Sequence, residues 1–149
     1  MKTSQYAIEA RARKQADAAS IGIDEAFVSE LVDTFYARIQ THGALGPIFN
    51  RHVKDWPYHL SRMKDFWASV ALESGRFHGN PMLKHIAIQG LGADQFLDWL
   101  ALWDDVLADI SPNHAVTDFF SERAHRIATS LQLGIDLHKG GMNALMKEK

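Results

Sequence analysis

Eight histidines, three tyrosines and four tryptophans are spread over 149 residues that include no cysteine. The missing thiol removes disulfides, zinc–thiolate sites, iron–sulfur clusters, cysteine nucleophiles and thiolate-held metal cofactors. No His-Glu-x-x-His occurs, so a zincin is excluded by motif. A single Glu-x-x-His stands at Glu122 and His125. A di-iron carboxylate bundle requires that motif twice, plus two further glutamates, so this copy reads as a solvated helix face. His42, His52, His114 and His138 fall near helix ends or in loops, and His78 sits in a glycine-flanked loop.

His59 and His85 are different. His59 precedes Met63 by four residues and Phe66 by seven, so it shares their apolar helix face. His85 lies one turn into a short helix opened by Asn80-Pro81, beside Leu83 and Ile86. Tyr36 and Trp99 also fall on apolar faces, and buried Tyr and Trp need partners for their O–H and N–H groups. Two imidazoles and two such donors, all inward, describe a polar pocket inside an apolar shell, the general form of a ligand site. The alternative is an ordinary core whose polar tips bond to backbone. Spacing alone does not choose the ligand.

The elements that position these residues are helices. Asp24 caps a stripe of Phe27, Val28, Leu31, Val32, Phe35, Tyr36 and Ile39, which ends before Gly43. Gly43 to Asn50 holds two glycines and a proline and is expected to be a tight connection, with Ile48 and Phe49 as anchors. Pro57 suits the first turn of the next helix, whose face is Leu60, Met63, Phe66, Trp67 and Val70, stopping before Gly75. Phe96, Trp99, Leu100, Trp103, Val106, Leu107 and Ile110 form the clearest stripe. Pro112 opens a last long helix carrying Val116, Phe119, Phe120, Ile127, Ala128 and Leu131, and Gly140-Gly141 is expected to end it before a Lys-rich tail. Nothing alternates with period two, so the expected fold is all-α. The organisation is an N-terminal helical extension over 1–23, a domain over 24–139 and a tail over 140–149.

Composition agrees. The chain is 46% hydrophobic and 23% charged, ordinary for one globular domain and unlike a disordered chain. Lys and Arg number 16 against 18 Asp and Glu, without the basic excess of a nucleic-acid binder. No run approaches the about 18 apolar residues of a membrane span. The first twenty residues lack the apolar core of a secretory signal, so a cytoplasmic location is expected.

Five segments in order carry a resemblance: Phe35-Tyr36; Leu45-Gly-Pro-Ile-Phe-Asn50; His59 with Phe66-Trp67; Gly79-Asn-Pro-Met-Leu-Lys-His85; and Trp99-Leu-Ala-Leu-Trp103. Together they resemble the truncated haemoglobins, and within them the group III branch, over about Asp24 to Leu137. The glycine-pair motifs of the other branches are absent from the expected loops, which fits group III.

The resemblance implies a shortened globin, two antiparallel helix pairs sandwiching haem b. It implies His85 as the proximal ligand of a five-coordinate iron, and Tyr36, His59, Met63 and Trp99 on the distal side. Phe49 matches a phenylalanine that packs on the haem. Phe66, Trp67, Leu72 and Met82 are expected to line the pocket by position, and the Arg76–His78 region to meet a propionate. A haem histidine ligates through its neutral nitrogen while the other N–H donates to a carbonyl or carboxylate. Donors at Tyr36 and Trp99 would each contribute about 1–2 kcal/mol, slowing oxygen release by roughly ten- to several-hundredfold together. Three functions follow. The first is reversible binding of O2, CO or NO, which includes oxygen transport. The second is a haem enzyme for NO dioxygenation or peroxide chemistry served by an external reductase. The third is a haem-free helical interaction module, disfavoured because it would bury four polar rings without a ligand.

Overall fold

Local signals set the helix boundaries. The computed structural model of the chain describes residues 4–75, 77, 79, 84–85, 88 and 91–147, with side chains through residue 139. Helix α1 (Gln5–Ile21) starts where Ser4 Oγ accepts the Ala7 N–H, and ends at Gly22, whose φ of 104° suits glycine. It is polar on nearly all sides and buries only Ala18. Lys14 Nζ meets Glu73 Oε1 at 2.9 Å, and Gln15 Nε2 donates to the Leu72 carbonyl at 2.9 Å, so α1 lies along the next-but-two helix.

Helix α2 (Glu25–Gln40) is capped by Asp24 and buries the whole expected stripe from Phe27 to Ile39. The connection that follows is not a loop: α3 (Leu45–His52) is a helix. His42 Nδ1 supplies its missing cap by accepting the N–H groups of Ala44 and Leu45 at 3.1 and 3.0 Å. Pro47 falls in the first turn, where no N–H is needed. Gly46 lets the chain turn tightly, since a Cβ there would stand 2.9 Å from the Gln40 carbonyl oxygen.

Helix α4 (Trp56–Leu72) begins at an Asp55 cap with Pro57 in its first turn, and stops at Glu73 in the left-handed region. Helix α5 is Ala93–Ile110 and α6 is His114–Lys147, the latter capped where Asn113 Oδ1 accepts the Val116 N–H at 3.0 Å. Contrary to expectation, α6 runs through Gly140–Gly141. A helical glycine costs about 1 kcal/mol relative to alanine and is not an obligatory stop. The Asn80-Pro81 helix start lies outside the described residues; Lys84 and His85 have helical backbone.

Helix α2 packs on α4, with Asp33 against Lys64 and Tyr36 against His59. Helix α5 packs on α6, with Asp104 against Ser121 and, at the other end, Lys139 Nζ donating to the Leu91 carbonyl just before α5. Both pairs are therefore antiparallel, and α2 joins them by crossing to α5. Among the described residues there is no strand. Trp103, Phe35 and Phe120 are the largest side chains sealed in the shared core.

Candidate functional site

Between the two helix pairs lies a cavity of about 610 Å3. That is within the roughly 300–1,000 Å3 of small-molecule and cofactor sites. Tyr36 enters from α2, Phe49 from α3, and His59, Met63, Phe66 and Trp67 from α4. Trp99 enters from α5 and His85 from the segment after α4. Met82, Arg76 and His78 lie outside the described residues. Leu72 does not line the cavity: it is 8% exposed and packs in the core beneath α1. It falls at the last turn of α4, and its carbonyl is held by Gln15.

Tyr36 is packed by rings on several sides. Its ring meets His59 edge-on at 5.0 Å, Phe35 at 5.0 Å and Phe49 at 5.9 Å. Burial pushes its phenol well up, so the hydroxyl keeps its proton and remains a donor. His59 is wedged between Tyr36 and Trp56, perpendicular to both. Burial lowers its pKa, and charge at Lys84 and at His85 lowers it further, so the ring is neutral near pH 7. Its Nε2 is buried with no hydrogen-bond partner. A buried nitrogen left unpaired costs about 1–3 kcal/mol, and such an atom beside a cavity is the mark of a position a ligand completes.

Trp99 lies parallel to Trp103 at 5.5 Å and edge-on to Phe35. His85 is half-buried at the cavity edge. Among the described lining residues, Lys54, Arg62 and Lys84 stand with the carboxylate of Asp55, which caps α4. Arg62 lies 4.7 Å over the Phe77 ring. These cations suit an anionic edge, and the aromatic interior suits a flat apolar body; a haem has both. The donors present fit that group, with imidazoles at 59 and 85 and no thiol anywhere.

The sequence reading missed Arg62, Lys84 and Trp56. Arg62 is three residues from His59, so their shared helix face was a usable signal. Ile127 and Leu131, expected to face inward, pack against the core and also border the cavity. The Glu122–His125 motif gathers no metal set: Glu122 pairs with Arg126, and His125 Nε2 meets Asp104 at 3.0 Å. Among the described residues no group of three or more His, Asp or Glu could hold a metal ion.

Two antiparallel helix pairs closed on an aromatic cavity, with histidines approaching it from α4 and from the segment beyond, make the fold of a truncated globin. The comparisons agree. No protein-family model matches the chain. The group 3 truncated haemoglobin of Campylobacter jejuni is 29% identical over 114 residues, covering 74% of this chain and 89% of that protein. The crystal structure of the group III truncated haemoglobin from Campylobacter jejuni matches with a TM-score of 0.72 at 27% identity, covering 76% of this chain and 91% of that one. In sequence and in fold the chain is similar to the group III truncated haemoglobins. No helix among the described residues is long and apolar enough to cross a membrane.

Proposed function

We propose that the cavity holds haem b, that His85 would supply its iron ligand, and that the chain binds O2, CO or NO there beside Tyr36, His59 and Trp99. The observation that carries this reading is the unpartnered Nε2 of His59 beside the Tyr36 ring, in a cavity that also takes in Trp99 and His85. When bound, haem supplies an iron with an open position for a diatomic gas. The remaining work is done by this chain. His85 coordinates through a neutral ring nitrogen. Lys54, Arg62 and Lys84 take the carboxylate edge. Phe49, Met63 and Phe66 pack against the faces of the ring and exclude water. The Tyr36 hydroxyl donates to a gas in the cavity, where a dry setting strengthens the bond. His59 and Trp99 stand beside it as further hydrogen-bonding groups.

A second reading is NO dioxygenation or peroxide chemistry with an external reductase, in the cytoplasm. It is favoured by the same polar wall, because a gas held by several donors waits for a second reactant. The test is a haem titration of the purified chain followed by absorption. One haem per chain with a sharp Soret band, shifting on reduction and on adding CO, is the expected result. A chain that takes up no haem contradicts the proposal. Nitrate formed catalytically when NO and a reductase are supplied separates the enzyme from the carrier.

A further inference from the structure

The aromatic packing behind the cavity is not uniform. Trp67 and Trp103 are stacked at 4.5 Å with 25° between their planes, and Trp99 and Trp103 at 5.5 Å with 9°. These are the stacked pairs among the described residues; the neighbouring ring pairs, such as Phe35–Tyr36 at 82° and Phe66–Trp67 at 81°, are edge-on. Edge-on and offset contacts are the ordinary preferences of aromatic packing, so a run of three near-parallel indoles is a specific arrangement. Its outer members, Trp67 and Trp99, line the cavity. Its middle member, Trp103, is fully buried behind them, and its Nε1 donates to the Phe120 carbonyl at 3.2 Å.

Indole is among the side chains most easily oxidised by one electron, and cysteine, which would compete, is absent. A positive charge on Trp103 would have two near-parallel indoles stacked against it, and aromatic faces stabilise cations. The carbonyl that receives its N–H is no base, so the proton stays and the oxidised ring remains a cation radical. Tyr36 is the alternative donor in the cavity. A phenol gives up its proton with its electron, and burial holds that proton on.

We propose that Trp99, Trp103 and Trp67 form a built-in electron donor that serves the cavity during reduction of hydrogen peroxide, with the resulting hole resting on Trp103. The proposal rests on the haem reading above. Hydrogen peroxide accepts two electrons and two protons, its O–O bond breaks, and two waters form. Trp99 gives one of the two electrons, the other being one that bound haem would supply and an external reductant would return; both protons come from solvent. Trp103 then refills Trp99 with one electron, and no indole loses its proton. One of the two oxidising equivalents is thus drawn out of the cavity, away from the Met63 thioether, which peroxide chemistry would otherwise convert to the sulfoxide.

The test uses the haem-loaded chain, mixed with hydrogen peroxide and frozen for electron paramagnetic resonance. The wild type is made with ordinary, ring-deuterated tryptophan or ring-deuterated tyrosine. An organic radical whose hyperfine width narrows only with the tryptophan label is expected. In Trp103→Phe that signal is lost and an added oxygen appears on Met63 by mass spectrometry. A signal that responds to the tyrosine label, a signal unchanged in Trp103→Phe, or a Soret band that peroxide leaves unaltered would overturn the proposal. The label experiment decides on the wild type alone if Trp103→Phe does not fold. Failure of the haem reading is distinct, because no Soret band is present before peroxide is added.

Discussion

The two sides of the cavity are built differently. Tyr36, Trp67 and Trp99 hang on long helices, and the rings behind them, Phe35 and Trp103, belong to the sealed core. On the side that carries His85, none of the described residues between Leu72 and Phe96 is buried. The difference teaches which part of the site folding organises by itself. The aromatic wall is fixed by the same burial that stabilises the chain, so its donors are placed before any ligand arrives. On the histidine side the described residues are exposed or half-buried, and there the proposed ligation at His85 would add to the order.

The largest effect on this contrast belongs to Trp103→Ala. Removing a fully buried indole is expected to cost about 3–5 kcal/mol of unfolding free energy in denaturant titrations, with or without haem. A loss below about 1 kcal/mol would detach the wall from the core. Next is Tyr36→Phe, which keeps the packing and removes one donor. Oxygen release in stopped flow should quicken by about 5- to 30-fold, matching about 1–2 kcal/mol. A rate within twofold of wild type removes Tyr36 from the site.

His59→Leu should stabilise the haem-free chain by about 1 kcal/mol, because it deletes an unpartnered buried nitrogen. The pH dependence follows with a definite sign. His59 has its folded pKa below the ordinary 6.5, so above that pH both folded and unfolded forms are neutral and nothing is gained or lost. As pH falls through 6.5 the unfolded chain binds a proton that the folded chain resists, and stability drops. Thermal midpoints of the haem-free His59→Leu variant should fall less steeply with acid than wild type. The smallest effect is Lys14→Ala, which breaks an exposed ion pair between α1 and α4 and should cost at most about 1 kcal/mol in the same melts.

Most helix starts were legible because their caps are local: Asp24 and Pro57 announce α2 and α4 in the sequence itself. Helix α3 was hidden because its cap is the His42 imidazole, a residue type that carries no such signal, while Gly46 and Pro47 imitate a break. The continuation of α6 through Gly140–Gly141 was hidden for a related reason, since glycine weakens a helix without forbidding it. Periodicity put Tyr36, His59 and Trp99 on inward faces, yet it could not separate cavity from core. Leu72 went to the core alone, while Ile127 and Leu131 serve core and cavity together, because that choice depends on which helix stands opposite. The orphaned nitrogen of His59 and the parallel indoles are products of tertiary packing, and no spacing rule encodes them.

The most direct measurement is the absorption spectrum of haem-reconstituted His85→Gly, recorded without and then with free imidazole. Loss of the wild-type spectrum, followed by its return when imidazole occupies the vacated position, is the expected outcome. A wild-type spectrum in the variant before imidazole is added would contradict axial ligation by His85.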